Sequence, residues 1–260
     1  MIHVSGSRFL ICLLAIPAIA LLVRIPTEIL RRSSDLPVTE VSAPAGSDLF
    51  AVLISGDGGW ARLDQELSAE LAGRGIPVAG LSSLRYFWRE RTADETAADV
   101  GRIIETYASR WHRSRVLLIG YSFGADVMPA IFNRLAPASR ARVVSISLLG
   151  LAKRASYEVR AGELIPFMAS KGELVLPEIR RIGATPTLCV EGSGETHSIC
   201  PELKGLGIEI RQIGEKHHFS YRETEIADAV LSVARIEPQP AAGRSGTGSC
   251  RSTPETACSS

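Results

Sequence analysis

The chain lacks three features that would each indicate a particular class of protein. Its 29 basic and 28 acidic residues leave a formal net charge of only +1, whereas a general nucleic-acid binder usually shows a basic excess. None of its five cysteines forms a Cys-x-x-Cys pair, so a zinc ribbon or a thioredoxin-type site has no support. No segment repeats. A chain of 260 residues can bury a sizeable core without metal ions or disulfides, and we predict no metal, no cofactor and no nucleic-acid partner.

The one long apolar run lies at the N-terminus. Residues 9–23 are apolar throughout, follow a short polar segment that ends on Arg8, and are stopped by Arg24. This pattern predicts a signal peptide or an uncleaved signal-anchor over residues 1–24; a buried helix is the alternative. Export would place the body of the protein outside the cytoplasm, which means the periplasm if the host is a Gram-negative bacterium.

Two cysteines of the body fit an exported protein. Cys189 and Cys200 are eleven residues apart. In an oxidising compartment they can close a short loop as a disulfide, and we expect that they do. Two buried free thiols are the alternative.

Residues 48–236 alternate apolar strands with amphipathic helices, as expected for one domain. Strands are predicted over 48–55, 76–82, 115–122, 142–150, 185–192 and 208–214, and helices over 62–73, 92–111, 123–135 and 221–235. This alternation predicts a mostly parallel, doubly wound α/β sheet with helices on both faces.

Three segments depart from this pattern. Residues 25–47 are expected to be a linker, and residues 237–260, rich in Pro, Gly, Ser and Thr, a disordered tail. Residues 151–184 are predicted to be an irregular excursion that ends in a short helix near 177–182.

The sharpest motif is Gly-Tyr-Ser-Phe-Gly at residues 120–124. It directly follows an apolar strand and opens a helix, the context in which glycine-x-serine-x-glycine forms a strained turn that exposes a nucleophile. We therefore predict that Ser122 is a catalytic nucleophile; a buried serine in a tight turn is the alternative.

A serine hydroxyl needs a base to take its proton and an acid to orient that base. The base is expected after the last strand, where His217 is the first choice and His218 the second. The acid is expected after the preceding strand, where Glu195 lies in a loop and Glu191 is still on the strand. We favour His217 and Glu195, in the chain order Ser, acid, His.

An oxyanion hole requires two backbone N–H groups. One is expected from Phe123, the residue after the nucleophile. The other is expected from the glycine-rich loop after the first strand, at Asp57 or Gly58. A phosphate-binding loop is the rival interpretation, but this loop has no Walker lysine.

Five short motifs occur in an order that resembles the VirJ/AcvB family of bacterial virulence proteins, which are α/β-hydrolases. They are Gly-Asp-Gly-Gly-Trp at 56–60, Ser-Leu-Arg-Tyr-Phe-Trp at 83–88, Gly-Tyr-Ser-Phe-Gly-Ala-Asp at 120–126, Cys189 with Cys200-Pro201, and His-His-Phe at 217–219. The resemblance spans about residues 48–235. It implies an α/β-hydrolase fold, export, hydrolysis of the aminoacyl ester lysyl-phosphatidylglycerol, and support of type IV secretion.

A lipid substrate gives roles to further residues. Arg85 can pair with a lipid phosphate, while Tyr86 and Trp88 can form an apolar wall or a surface that contacts the inner membrane; filling the core is the alternative. Asp57 and Asp126 can receive a cationic aminoacyl group, although Asp126 can equally be a structural anchor.

Two functions of different class fit the sequence. The first is an exported serine esterase acting on an aminoacylated phospholipid or another ester. The second is a non-catalytic periplasmic adaptor that binds secretion substrates or secretion-system proteins on a hydrolase scaffold, because fold alone does not fix function.

Overall fold

The computed structural model describes residues 36–159 and 172–235. Within these ranges the strands are β1 Val38–Val41, β2 Leu49–Ile54, β3 Val78–Leu81, β4 Arg115–Tyr121, β5 Val143–Leu149, β6 Arg154–Ala155, β7 Glu173–Leu174, β8 Thr187–Glu191 and β9 Glu209–Gln212. The helices are α1 Arg62–Gly73, α2 Ser83–Tyr86, α3 Ala93–Trp111, α4 Phe123–Arg134, α5 Pro137–Arg142, α6 Leu176–Ile179 and α7 Glu223–Val233, with a 3-10 turn at Cys200–Leu203.

Seven strands form one sheet, in the order β1-β3-β2-β4-β5-β8-β9. All neighbouring pairs are parallel except β1 and β3, which are antiparallel. The short strands β6 and β7 pair separately. The predicted single-domain, mostly parallel α/β sheet is therefore confirmed.

Both faces of the sheet are covered by helices. Along β2, Phe50 and Val52 pack into the core cluster shared with α3 and α4, whereas Leu49 and Leu53 pack into the cluster shared with α1 and α7. A parallel strand buried on both faces needs apolar residues at every position, which explains why the strands read as continuous apolar runs. The carboxyl ends of the parallel strands meet along one edge, where ligands bind in folds of this class.

The prediction that residues 25–47 form a linker is wrong in part. Its residues Val38–Val41 form the edge strand β1, which pairs with β3 in the register Val38 opposite Leu81. Four residues give too little periodicity to be recognised, and the pairing is with a strand almost forty residues later. The signal predicted over 1–24 and the tail predicted over 237–260 lie outside the described residues.

The excursion predicted over 151–184 is described at both ends. It contains the β6–β7 pair and helix α6 at Leu176–Ile179, close to the short helix expected near 177–182. Residues 160–171 are outside the described ranges.

Across the ranges that are described, no helix has both the length and the apolar character needed to span a bilayer.

Candidate active site

Ser122 occupies a sharp turn between a strand and a helix. Strand β4 ends at Tyr121 and helix α4 begins at Phe123, so Ser122 alone makes the change of direction. Its backbone angles are φ 51° and ψ −116°, a strained conformation for a residue other than glycine. Its N–H donates to the carbonyl oxygen of Leu149 at 2.8 Å, which fixes the turn against β5.

The two glycines of the motif are needed because the chain packs closely on both sides of this turn. A Cβ atom on Gly120 would overlap the backbone of Gly124. A Cβ atom on Gly124 would overlap the carbonyl oxygens of Ile54 and Ser55 at the end of β2. Because these two glycines have no side chains, the turn at Ser122 packs directly against the end of strand β2.

The structure brings together the three residues predicted to form a catalytic triad. His217 Nε2 lies 2.7 Å from Ser122 Oγ, and His217 Nδ1 lies 2.6 Å from Glu195 Oε1. Both distances are within hydrogen-bonding range. The imidazole is therefore placed to accept a proton from the serine while the carboxylate binds its other nitrogen.

Glu195 is held by the turn that follows β8. Its N–H donates to the Gly192 carbonyl at 3.0 Å, and its Oε2 accepts from the Gly192 N–H at 3.2 Å. Burial alone would raise the pKa of Glu195, but the hydrogen bonds from His217 and Gly192 outweigh it and leave this pKa below its ordinary value. The carboxylate therefore stays charged beside the imidazole.

The second-choice acid and base lie elsewhere. Glu191 is buried within β8, where its Oε1 accepts from the Gln212 side chain at 3.1 Å. His218 Nδ1 lies 3.1 Å from the Tyr121 hydroxyl rather than next to Ser122. The geometry favours His217 and Glu195 over these alternatives.

A disulfide closes the chain segment that carries Glu195. Cys189 on β8 is bonded to Cys200, with 5.8 Å between their Cα atoms. Both residues are fully buried. The loop between them is thus anchored at both ends to the core.

Backbone N–H groups near Ser122 differ in their availability. Within the described residues, the N–H groups of Phe123 and Asp57 have no intramolecular acceptor. By contrast, the Gly58 N–H donates to Asp57 Oδ1 at 2.9 Å. Of the two alternatives for the second donor, Gly58 is already used in this conformation, so Phe123 and Asp57 remain the candidates for the oxyanion hole.

The residues predicted to line a substrate surface divide into two groups. Arg85 and Trp88 are exposed, Trp88 at 61%. Tyr86 is only 2% exposed, and its hydroxyl donates to Asp99 Oδ2 at 2.6 Å. The prediction that Tyr86 contacts substrate is wrong, because α2 turns its ring into the core.

Asp126 lies one helical turn beyond Ser122 and is half-buried. Its Oδ1 accepts the Ala152 N–H at 2.7 Å, so it anchors the chain after β5. Burial raises the pKa of Asp126 well above its usual value, and the charges of Asp57 and Glu195 raise it further. Three carboxyl groups are thus near enough to interact around the predicted nucleophile.

One residue of the site was not found from the sequence. Gly150, which follows β5 and has φ +68°, leaves room for the His217 ring: a Cβ atom there would lie 2.7 Å from His217 Cε1. A glycine at a strand end was the available signal, but it reads as an ordinary turn.

In the described ranges no cluster of His, Cys, Asp or Glu is arranged to hold a metal ion.

Comparison with solved structures places the fold among α/β-hydrolases. MenH from S. aureus has 11% identity and a TM-score of 0.58, with 76% of this chain and 97% of that chain covered. Esterase Pf2001 from Pyrococcus furiosus has 12% identity and a TM-score of 0.55, with 79% and 92% covered. Est1E from Butyrivibrio proteoclasticus has 11% identity and a TM-score of 0.53, with 75% and 91% covered. At such identities these structures establish the fold alone.

Comparison of sequences establishes the family. No curated protein matches the chain. The model of the family described as bacterial virulence protein (VirJ) matches residues 48–237, about three quarters of the sequence and all of the sheet except β1. The chain therefore belongs to the VirJ family of bacterial virulence proteins, on an α/β-hydrolase fold.

Proposed function

We propose that this VirJ-family protein is an exported serine esterase and that its substrate is the aminoacyl ester of lysyl-phosphatidylglycerol. One observation carries the proposal: Ser122, His217 and Glu195 form a continuous hydrogen-bonded chain, with links of 2.7 and 2.6 Å. This is the arrangement that turns a serine hydroxyl into a nucleophile.

In the first half of the reaction, Ser122 Oγ attacks the aminoacyl carbonyl carbon while His217 Nε2 takes the serine proton. The N–H groups of Phe123 and Asp57 stabilise the negative charge that develops on the carbonyl oxygen. The C–O bond to the lipid then breaks, and His217 returns the proton to the departing alcohol. The products are phosphatidylglycerol and an aminoacyl ester on Ser122.

In the second half, water replaces the serine. His217 takes a proton from the water as its oxygen attacks the same carbonyl, and then returns a proton to Ser122 Oγ. The free amino acid leaves. Throughout, Glu195 holds the ring and stabilises the imidazolium that forms twice per turnover.

A lysyl group fits the acidic surroundings of the nucleophile. Asp57 and Asp126 act electrostatically on one another, so an ammonium group bound between them would relieve that repulsion. A charge-assisted hydrogen bond to the lysyl side chain is worth about 1.5–3 kcal/mol, which corresponds to roughly a ten- to hundredfold preference over an aminoacyl group whose side chain is neutral.

The lipid would be bound at two exposed residues, Arg85 on α2 and Trp88 just after it. Arg85 would pair with the lipid phosphate and Trp88 would enter the membrane interface, where amphipathic aromatic rings are favoured. Contact with the inner-membrane surface would then present the ester to Ser122 without extracting the lipid.

The Cys189–Cys200 disulfide supports export, since disulfides persist in oxidising compartments such as the periplasm. The signal predicted over residues 1–24 supplies the route. Membership of a virulence-protein family extends the proposal to a role in virulence and type IV secretion.

Purified protein tests the proposal directly. The native protein should release the amino acid from both lysyl- and alanyl-phosphatidylglycerol in mixed micelles, and faster from the lysyl ester. The Ser122→Ala variant should release no amino acid from either lipid. If the native protein and the variant are equally inactive on every ester while binding secretion substrates, the chain is the non-catalytic adaptor instead.

A further inference from the structure

We propose that the hydrogen bond between Tyr121 and His218, here called the latch, positions His217 against Ser122. The inference rests on the proposed esterase function and assigns a role to the histidine that the triad does not use. Neither latch residue is expected to touch the substrate; both act through their chain neighbours.

The latch lies beside the proposed catalytic hydrogen bond. Tyr121 directly precedes Ser122, and His218 directly follows His217. The bond from Tyr121 Oη to His218 Nδ1 is 3.1 Å long, next to the 2.7 Å bond from Ser122 to His217. The same two chain segments are thus joined twice, once by the reacting groups and once by groups that do not react.

The loop that carries both histidines needs such a support. No regular helix or strand is present between β9 and α7. Two of the loop's residues, Phe219 at φ 46° and Tyr221 at φ 63°, hold left-handed backbone conformations. Non-glycine residues adopt these conformations at a cost and keep them only where the surroundings enforce them.

Packing alone does not fix the orientation of His218. Its side chain is exposed, and a cavity of about 260 Å³ adjoins both latch residues, lined also by Leu63, Ser220 and Glu223. With open space beside the imidazole, the hydrogen bond to Tyr121 is what restricts its rotation.

Tyr121 is the fixed partner. It is 8% exposed, its ring centroid lies 5.8 Å from that of His217, and a Cβ atom on Gly56 would lie 3.2 Å from its Cε1. Burial raises the pKa of Tyr121, and the charges of Asp64 and Asp57 raise it further. The hydroxyl therefore keeps its proton and can donate it to Nδ1 of His218.

A loosened loop would let the His217 ring drift from Ser122. A misplacement of 1 Å at a reacting group can cost about a hundredfold in rate, and loss of the latch would allow part of that movement. We expect a loss of roughly tenfold in kcat with KM within about twofold, because positioning affects the reacting atoms and leaves substrate contacts in place.

Four variants test this with a neutral, water-soluble ester. Tyr121→Phe and His218→Ala should each lower kcat roughly tenfold, and the double variant should be no slower than either, because both remove the same bond. His218→Asn should recover most of the rate, since its side-chain oxygen can accept from Tyr121. Thermal melting of each variant checks that it is folded.

Tyr107→Phe is the matched control. Tyr107 is also 8% exposed but packs on Trp111, which contacts Phe50 near the opposite end of the strands. The kcat of Tyr107→Phe should equal that of the native protein. Unchanged kcat in Tyr121→Phe, or losses that multiply in the double variant, would overturn the proposal.

Hydrogen exchange separates failure of the latch from failure of the esterase. The amides of Phe219 and Arg222 donate within the loop, to Lys216 and Phe219 respectively. Both should exchange about tenfold faster in Tyr121→Phe than in the native protein, whether or not any ester is hydrolysed. Equal exchange rates would refute the latch even in an active enzyme, and faster exchange in a protein without esterase activity would refute only the esterase.

Discussion

Replacing Gly150 by alanine should disable the site through a single methyl group. The new Cβ atom would lie 2.7 Å from His217 Cε1 and 2.9 Å from Nδ1, whereas ordinary contacts begin near 3.4 Å. The imidazole must therefore retreat by about 0.7 Å. Because His217 makes bonds of 2.7 Å to Ser122 and 2.6 Å to Glu195, it cannot retreat without lengthening at least one of them. The expected loss is about a hundredfold in kcat.

A second glycine variant separates this clash from backbone strain. Gly183 has φ +76°, close to the +68° of Gly150, but nothing lies within 4 Å of the position of its Cβ atom. Gly183→Ala should therefore share only the strain of a left-handed alanine, about 1–2 kcal/mol of stability, and keep native kcat. The assay is steady-state hydrolysis of a neutral ester alongside thermal melting. Gly150→Ala with kcat within threefold of native protein would refute the reasoning.

Three further outcomes are expected. Replacing Cys189 and Cys200 by serine should lower the free energy of unfolding in urea by about 2–4 kcal/mol. Burial raises the pKa of Asp64 to about 6, and a carboxyl group with a raised pKa contributes stability that is lost as the pH rises. Relative to Asp64→Asn, the free energy of unfolding of the native protein should therefore fall by up to about 3 kcal/mol between about pH 4 and 7. Parallel pH–stability curves for the two proteins would contradict this. Since burial also raises the pKa of Asp126, the preference for lysyl- over alanyl-phosphatidylglycerol should grow as pH rises and Asp126 ionises, and it should be flat with pH in Asp126→Asn.

Local patterns predicted most of the fold and the three residues of the proposed triad. Ser122 was recognisable because strand, elbow and helix follow one another within a few residues. Glu195 and His217 followed from their places after successive strands, since parallel strands deliver their following loops to one edge of the sheet.

Features that depend on distant partners were missed. The need for glycine at position 150 comes from His217, 67 residues later, and nothing near Gly150 reveals it. The sequence left Tyr86 either at a substrate surface or in the core, and the single turn of α2 directs its ring to the core and to Asp99. One local feature was also beyond prediction: whether Asp57 binds the Gly58 N–H depends on the conformation of the loop, which residue types alone do not determine.

The central claim is that His217 activates Ser122 as a nucleophile. Reaction with a small fluorophosphonate, followed by peptide mass mapping, measures this without knowledge of the natural ester. We expect an adduct on Ser122 in the folded protein, formed at least about a thousandfold more slowly in His217→Ala. An adduct absent from Ser122, or one that forms equally fast in His217→Ala, would contradict it.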